Sequence, residues 1–177
     1  MPYTFVSEGA LPISVSALRD HCRIIGDDFD TQLTRSYNAA ARDIEVRTGI
    51  LLRPCTVSES RKGLRGLQGH VLEVGPVNPA SVVIQQNGVT VSSGWELDVN
   101  AAVPTICVKD RSAFMDDQIY QIAYSAGFQP IPHDLNIALF ELTAHHFENR
   151  EATSELNLKP VPSSVWSIVQ NYGAAKV

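Results

Sequence analysis

The sequence predicts an α+β protein: mainly an α-helical bundle formed by N- and C-terminal helices, with an inserted β-hairpin or small β-sheet region. Three observations predict it. Helical apolar spacing runs through residues 14–49 and returns at 132–172. Between them, residues 50–126 break into short β-branched runs punctuated by Gly, Pro and Asn. At 177 residues, 44% hydrophobic and 19% charged, the chain has the length and apolar content for one domain with its own core.

Residues 1–13 read as an extended arm, because Pro2 and Pro12 both disfavour helix. "ISVSALRDHCRI" reads as the first helix. Ser14 is its N-cap, Val15, Leu18 and Cys22 form its apolar face, and Gly26 is its stop. "DDFDTQLTRSYNAAARDIEVRTG" reads as the second, capped by Asp27 or Asp28. Its stripe is Phe29, Leu33, Tyr37, Ala40 and Ile44, its terminator is Gly49, and alanines 39–41 permit close approach of another helix.

Six β-rich runs follow: "ILLRPCTVSES", "HVLEVGPV", "ASVVIQQNGVTV", "WELDVN", "TICVKD" and "DQIYQIAYSAG". Asn87-Gly88 tolerates the positive φ of a type I′ turn, so the third run reads as a hairpin. In the last, Tyr120, Ile122 and Tyr124 face one way and Ile119, Gln121, Ala123 and Ser125 the other. "IPHDLNIALFELTAHHFENRE" reads as the third helix, with Pro132 in its first turn. "PSSVWSIVQNYG" reads as the fourth, capped by Ser163 or Ser164 and ended by Gly173. Its face is Val165, Ile168, Val169 and Tyr172, and residues 173–177 are a tail.

Net charge is −5, with no long block of either sign. This argues against non-specific nucleic-acid binding, which needs clustered Lys and Arg to displace counterions. Arg61, Lys62 and Arg65 form the one basic cluster and read as a solvated loop. Three cysteines, an odd count without CxxC spacing, fit a reduced compartment. The N-terminus lacks the pattern of a signal peptide, and no apolar run is long enough to span a membrane.

Adjacent histidines in "LFELTAHHFENREA" raise the question of chemistry. On a wheel of about 100° per residue, Leu135, Ala138, Leu139, Leu142 and His146 share one face. Ile137, Phe140, Ala144 and Phe147 share nearly the opposite one, so the helix is expected between two layers. Asp134, Glu141, His145 and Glu148 lie between these faces. His145 is expected to form an ion pair with Glu141 and Glu148. A metal needs three or four converging ligands; these three residues supply at most three, and no other helix carries a second copy of the unit. The structural reading is preferred.

No phosphate loop, dinucleotide fingerprint or nucleophile elbow occurs. Cys22 belongs to an apolar stripe from which His21 diverges, Asp116-Asp117 reads as a turn, and Trp95 and Trp166 read as core or interface anchors. No catalytic constellation survives, so no enzyme activity and no cofactor is expected.

Three stretches resemble the head-tail connector (adaptor, or head-completion) proteins of long-tailed phages and gene transfer agents. They are "ISVSALRDHCRIIGDDFDTQLTRSYNAAARDIEVRTGILL", "LEVGPVNPASVVIQQNGVTVSSGWELDV" and "YQIAYSAGFQPIPHDLNIALFELTAHHFENREA", in family order over most of residues 13–152. "SESRKGLRGLQGH" and the N-terminal arm depart from the family pattern. The resemblance implies a virion neck protein, assembled in the host cytoplasm. It would form a twelve-subunit ring of its own copies that binds the portal protein and a tail-proximal neck protein (stopper or tail terminator). DNA would pass through its channel without sequence-specific binding, and no membrane is involved. It further implies portal contact through the C-terminal segment, placed on Trp166, Tyr172, Lys176 and Val177, and structural or subunit contacts at Glu141, His145, Glu148, Arg150 and Glu151. Two alternatives stand beside it: a tail-completion or other neck protein of the same particle, and a metal-dependent enzyme using the Glu/His cluster.

Overall fold

The computed structural model describes residues 3–64, 69–99, 104–149 and 161–172. The chain is α+β and divides into two compact units. The first comprises Met1–Ala10 and Arg53–Gln129, the second Leu11–Leu52 and Pro130–Val177.

The first unit is built on two antiparallel sheets. One has five strands in the order β1 (Tyr3–Glu8), β2 (Cys55–Lys62), β8 (Ile119–Ala126), β4 (Val83–Gln86) and β5 (Val89–Thr90). The other has three, in the order β3 (His70–Val71), β7 (Thr105–Val108) and β6 (Trp95–Asp98). β2 and β8 pair over eight residues, from Cys55 opposite Ala126 to Lys62 opposite Ile119. The alternation of β8 does what its pattern predicts. Tyr120, Ile122 and Tyr124 are buried beside Val57 and Ile84, while Ile119 and Gln121 are exposed. The Asn87-Gly88 turn also forms as expected, with φ of 49° and 80°.

Three expectations for this unit need correction. Residues 3–8 are not an arm but an edge strand, bonded along β2 from Tyr3 opposite Glu59 to Glu8 opposite Cys55. Their alternation, with Tyr3 and Phe5 more covered than Thr4 and Val6, gives the extended segment a face to lay on the sheet. A bulge between Phe5 and Ser7 breaks the register, as befits an edge that must not recruit further strands. Arg61 and Lys62 lie on the exposed end of β2 rather than in a loop, and Arg65 lies outside the described residues. The β region is therefore a compact unit with its own core, not an elaboration of a mainly helical bundle.

The second unit holds α1 (Val15–Cys22), α2 (Asp30–Thr48), α3 (His133–Glu148) and α4 (Ser163–Gln170). Helices from both ends of the chain pack together as predicted. α2 lies on α3, and α3 also meets α1 and α4. Leu33, Tyr37, Ala40, Ala41 and Ile44 of α2 are buried, as are Leu135, Ala138, Leu139 and Leu142 of α3 and Val165 and Val169 of α4. The small Ala40 and Ala41 side chains permit this approach.

The helix ends differ in detail. Ser14 caps α1 by accepting from the Ala17 amide at 3.3 Å. α1 stops at Arg23 with φ of 55°, three residues before Gly26. α2 starts at Asp30 with Phe29 at the N-cap and no side-chain cap from Asp27 or Asp28; Gly49 ends it with φ of 74°. Pro132 and Pro162 stand just before α3 and α4, and neither Ser163 nor Ser164 caps. Proline fixes φ for helix entry without a capping side chain. Buried Glu45 joins α2 to the following segment by accepting from the Leu52 amide at 3.3 Å, with Arg42 3.6 Å away.

One glycine sets a hard limit. Gly127 has φ of 110°, and a Cβ there would sit 1.9 Å from the Arg53 carbonyl oxygen. Gly127→Ala is expected to cost about 3 kcal/mol or more by strain and clash. Gly88→Ala, with a positive φ but open space around it, is expected to cost about 1 kcal/mol. Urea denaturation of both variants checks the difference.

Candidate functional site

The histidine-bearing end of α3 forms no convergent site. His145 Nδ1 lies 3.2 Å from Asn149 Nδ2, so Asn149 ties the ring to the helix end. Among the described residues the predicted His145 ion pair with Glu141 and Glu148 does not form. Glu141 instead accepts the Ser164 hydroxyl at 3.3 Å, linking α3 to α4. Glu148 is exposed and its charge adds to burial in pushing the Cys22 thiol up. The side chains diverge, and no group of three or more His, Cys, Asp or Glu among the described residues could hold a metal ion. Arg150 and Glu151 lie outside the described residues.

His146 ends the leucine face as expected, and its Nε2 is buried without a hydrogen-bond partner. Burial holds its pKa below the ordinary histidine range; nearby Asp43 acts the other way and His145 adds to the depression. The second face of α3 is covered in part. Phe140 meets the His21 ring at 5.1 Å and Phe147 meets Phe29 at 6.0 Å, whereas Ile137 stays exposed.

Trp166 and Tyr172 contact the helices of their own unit. The Arg47 guanidinium stands 4.6 Å over the Trp166 ring. Tyr172 donates its hydroxyl to the Asp134 carboxylate, with oxygen distances of 2.6 and 2.7 Å. That bond holds the Asp134 carboxyl below the usual range and the Tyr172 phenol above its own. Lys176 and Val177 lie outside the described residues.

Among the described residues, motif reasoning missed a buried polar cluster. Glu59 of β2 is 2% exposed and lies among donors from two directions. Its Oε1 accepts the Tyr124 hydroxyl from β8 and the Glu73 amide at 2.9 Å; its Oε2 lies 2.9 Å from His70 Nε2. Burial, then the Glu59 charge, pushes the Tyr124 phenol far above its ordinary range, so it remains a proton donor. Glu59 and His70 (5% exposed) are both enclosed. The cluster pins residues 70–73 to the sheet. A signal was present in the alternation of β2, where Glu59 follows Cys55 and Val57 on the inward face.

No family model and no curated protein matches the chain. Solved structures do share its fold. A chain from the neck of an empty gene transfer agent particle computed with C6 symmetry superimposes with a TM-score of 0.78 at 24% identity. A chain from the virion of a native gene transfer agent particle gives 0.77 at 23%, and one from the neck of a native particle computed with C12 symmetry gives 0.71 at 23%. Each match covers 100% of this chain and 97% of the other.

Two outcomes follow from the site geometry. Glu59→Ala strands two buried polar partners, His70 and Tyr124, and the part-buried Glu73 amide, and is expected to cost about 3 kcal/mol or more. Glu59→Gln keeps an accepting oxygen and is expected to cost about 1–2 kcal/mol; equilibrium urea unfolding measures both. His146 has a depressed folded pKa, so its contribution is present above the unfolded value of about 6.5 and is lost as pH falls through the folded value. Replacing it by Leu is therefore expected to flatten the melting-temperature profile on the acid side of pH 6.5.

Proposed function

We propose that this protein is a structural component of the neck of a phage or phage-like particle: a head-tail connector that forms a ring on the portal and continues the DNA path toward the tail. The observation that carries this reading is the fold match over the whole chain to chains of gene transfer agent necks.

The geometry of the described residues supports a non-enzymatic role. The polar groups that converge are enclosed, and those that are exposed diverge. The C12 symmetry of one matched neck fits a twelve-subunit ring, in which each copy meets two neighbours through different surfaces. The negative balance of the chain suits a channel through which DNA slides without being gripped. The segment that follows α4, including Lys176 and Val177, is assigned to portal contact, with Trp166 and Tyr172 setting the position of α4 through Arg47 and Asp134. The neighbour on the tail side is a stopper or tail terminator.

The test is electron microscopy of portal rings from the same particle, with and without this protein. The expected result is an added ring of density on the narrow end of the portal, with the stoichiometry given by its rotational symmetry. A protein that binds tail-proximal rings but leaves the portal bare would instead be a tail-completion protein.

A further inference from the structure

The loop between α1 and α2 presents Ile25 at 98% exposure, and it does so on a fixed backbone. Arg23 and Gly26 take positive φ of 55° and 88°. The Ile24 amide donates to the Arg19 carbonyl at 3.0 Å. The Arg19 guanidinium donates to the Gly26 carbonyl at 3.2 Å and pairs with Asp30 at 3.3 Å. A branched apolar side chain held almost wholly in water on a braced loop has the form of an interface anchor with a polar rim. The rim is acidic: Asp27 and Asp28 follow, both exposed and neither in an ion pair among the described residues.

The same unit carries a surface of complementary character. Arg35, Ala39 and Val46 of α2 lie within about 60° on the helix wheel, and all three are exposed, Val46 at 54%. Arg35 has no ion-pair partner among the described residues. The stripe offers a small residue and an apolar residue beside a cation, and Asp43 at its edge is paired with Arg47 at 2.9 Å. The stripe begins near the loop but is centred about 15 Å along the helix at 1.5 Å per residue, so one straight helix cannot bring the two surfaces together.

We infer that the Ile25 loop of one copy, with Asp27 and Asp28, docks on the α2 stripe of Arg35, Ala39 and Val46 of the next copy. The contact is head-to-tail, of the kind that closes into a ring. This rests on the ring reading above, whose matched structures belong to C6- and C12-symmetric necks. Charge complementarity, and the position of both surfaces on one rigid helix and its leading loop, favour a second copy as the occupant.

The test is ring formation on portal rings, read by electron microscopy and native mass spectrometry over a concentration series. Ile25→Asp is expected to raise the concentration for half-assembly by about tenfold or more, with an unchanged melting temperature because the side chain is already in water. The double variant D27R/D28R and the single variant R35E are each expected to do the same. The triple variant carrying all three changes is expected to recover most of the assembly, because every copy then presents both reversed surfaces. Wild-type assembly by Ile25→Asp overturns the inference, as does loss in D27R/D28R without recovery in the triple variant. A wild-type chain that forms no ring would instead sink the functional reading itself, and this contact with it.

Discussion

A carboxylate on the inward face of a strand constrains the whole β unit. Glu59 sits where alternation calls for an apolar side chain, two residues after the buried Val57. A charge there is tolerated only if its oxygens are met by donors. The Tyr124 hydroxyl, the Glu73 amide and the His70 ring meet them. Residues 70–73 are thereby held against the first sheet, and β3 within that segment pairs with β7 of the second. One polar cluster thus ties β2, β8 and the smaller sheet into a unit whose remaining core is aliphatic and aromatic.

The helical unit depends on a different constraint: α3 is apolar on two faces. Its leucine face is completed by α2 and α4 through Leu33, Ile44, Val165 and Val169. Its second face is covered in part, by the rings of His21 and Phe29, while Ile137 stays exposed. Polar side chains then set the outlying parts. Arg19 braces the loop before α2, Glu45 holds the segment after it, and Asp134 and Glu141 receive Tyr172 and Ser164 from α4. Among the described residues these groups each bind a partner within the helical unit.

Long periodic segments were legible in the sequence. The stripes of α2 and α3, the alternation of β8 and the Asn-Gly turn all follow from spacing that a single local geometry satisfies. Some helix starts were less legible, because Phe29 before α2 and Pro162 before α4 replace the side-chain caps that composition suggested. The extended backbone of the N-terminal segment was legible, but its partner strand some fifty residues away was not, since only tertiary pairing supplies it. The ion pairs expected of His145 were not legible, since Asn149 meets its ring and Ser164 meets Glu141 instead. The Glu59 cluster escaped because its members are 11 and 65 residues apart in the chain; no motif spacing encodes such a meeting.

The division of the chain into units has a consequence for synthesis on the ribosome. Residues 1–10 belong with 53–129, and residues 11–52 belong with 130–177, so the two units are interleaved. Neither is a contiguous stretch that a truncation could release. β1 waits for β2 to emerge, and α1 and α2 wait longer still, with Leu33 and Ile44 uncovered until α3 has been made. The β unit can close while the nascent chain is still growing; the helical unit closes only once nearly all of it has been translated. An apolar stripe that emerges early and is buried late is open to chaperones and to premature association for most of that interval.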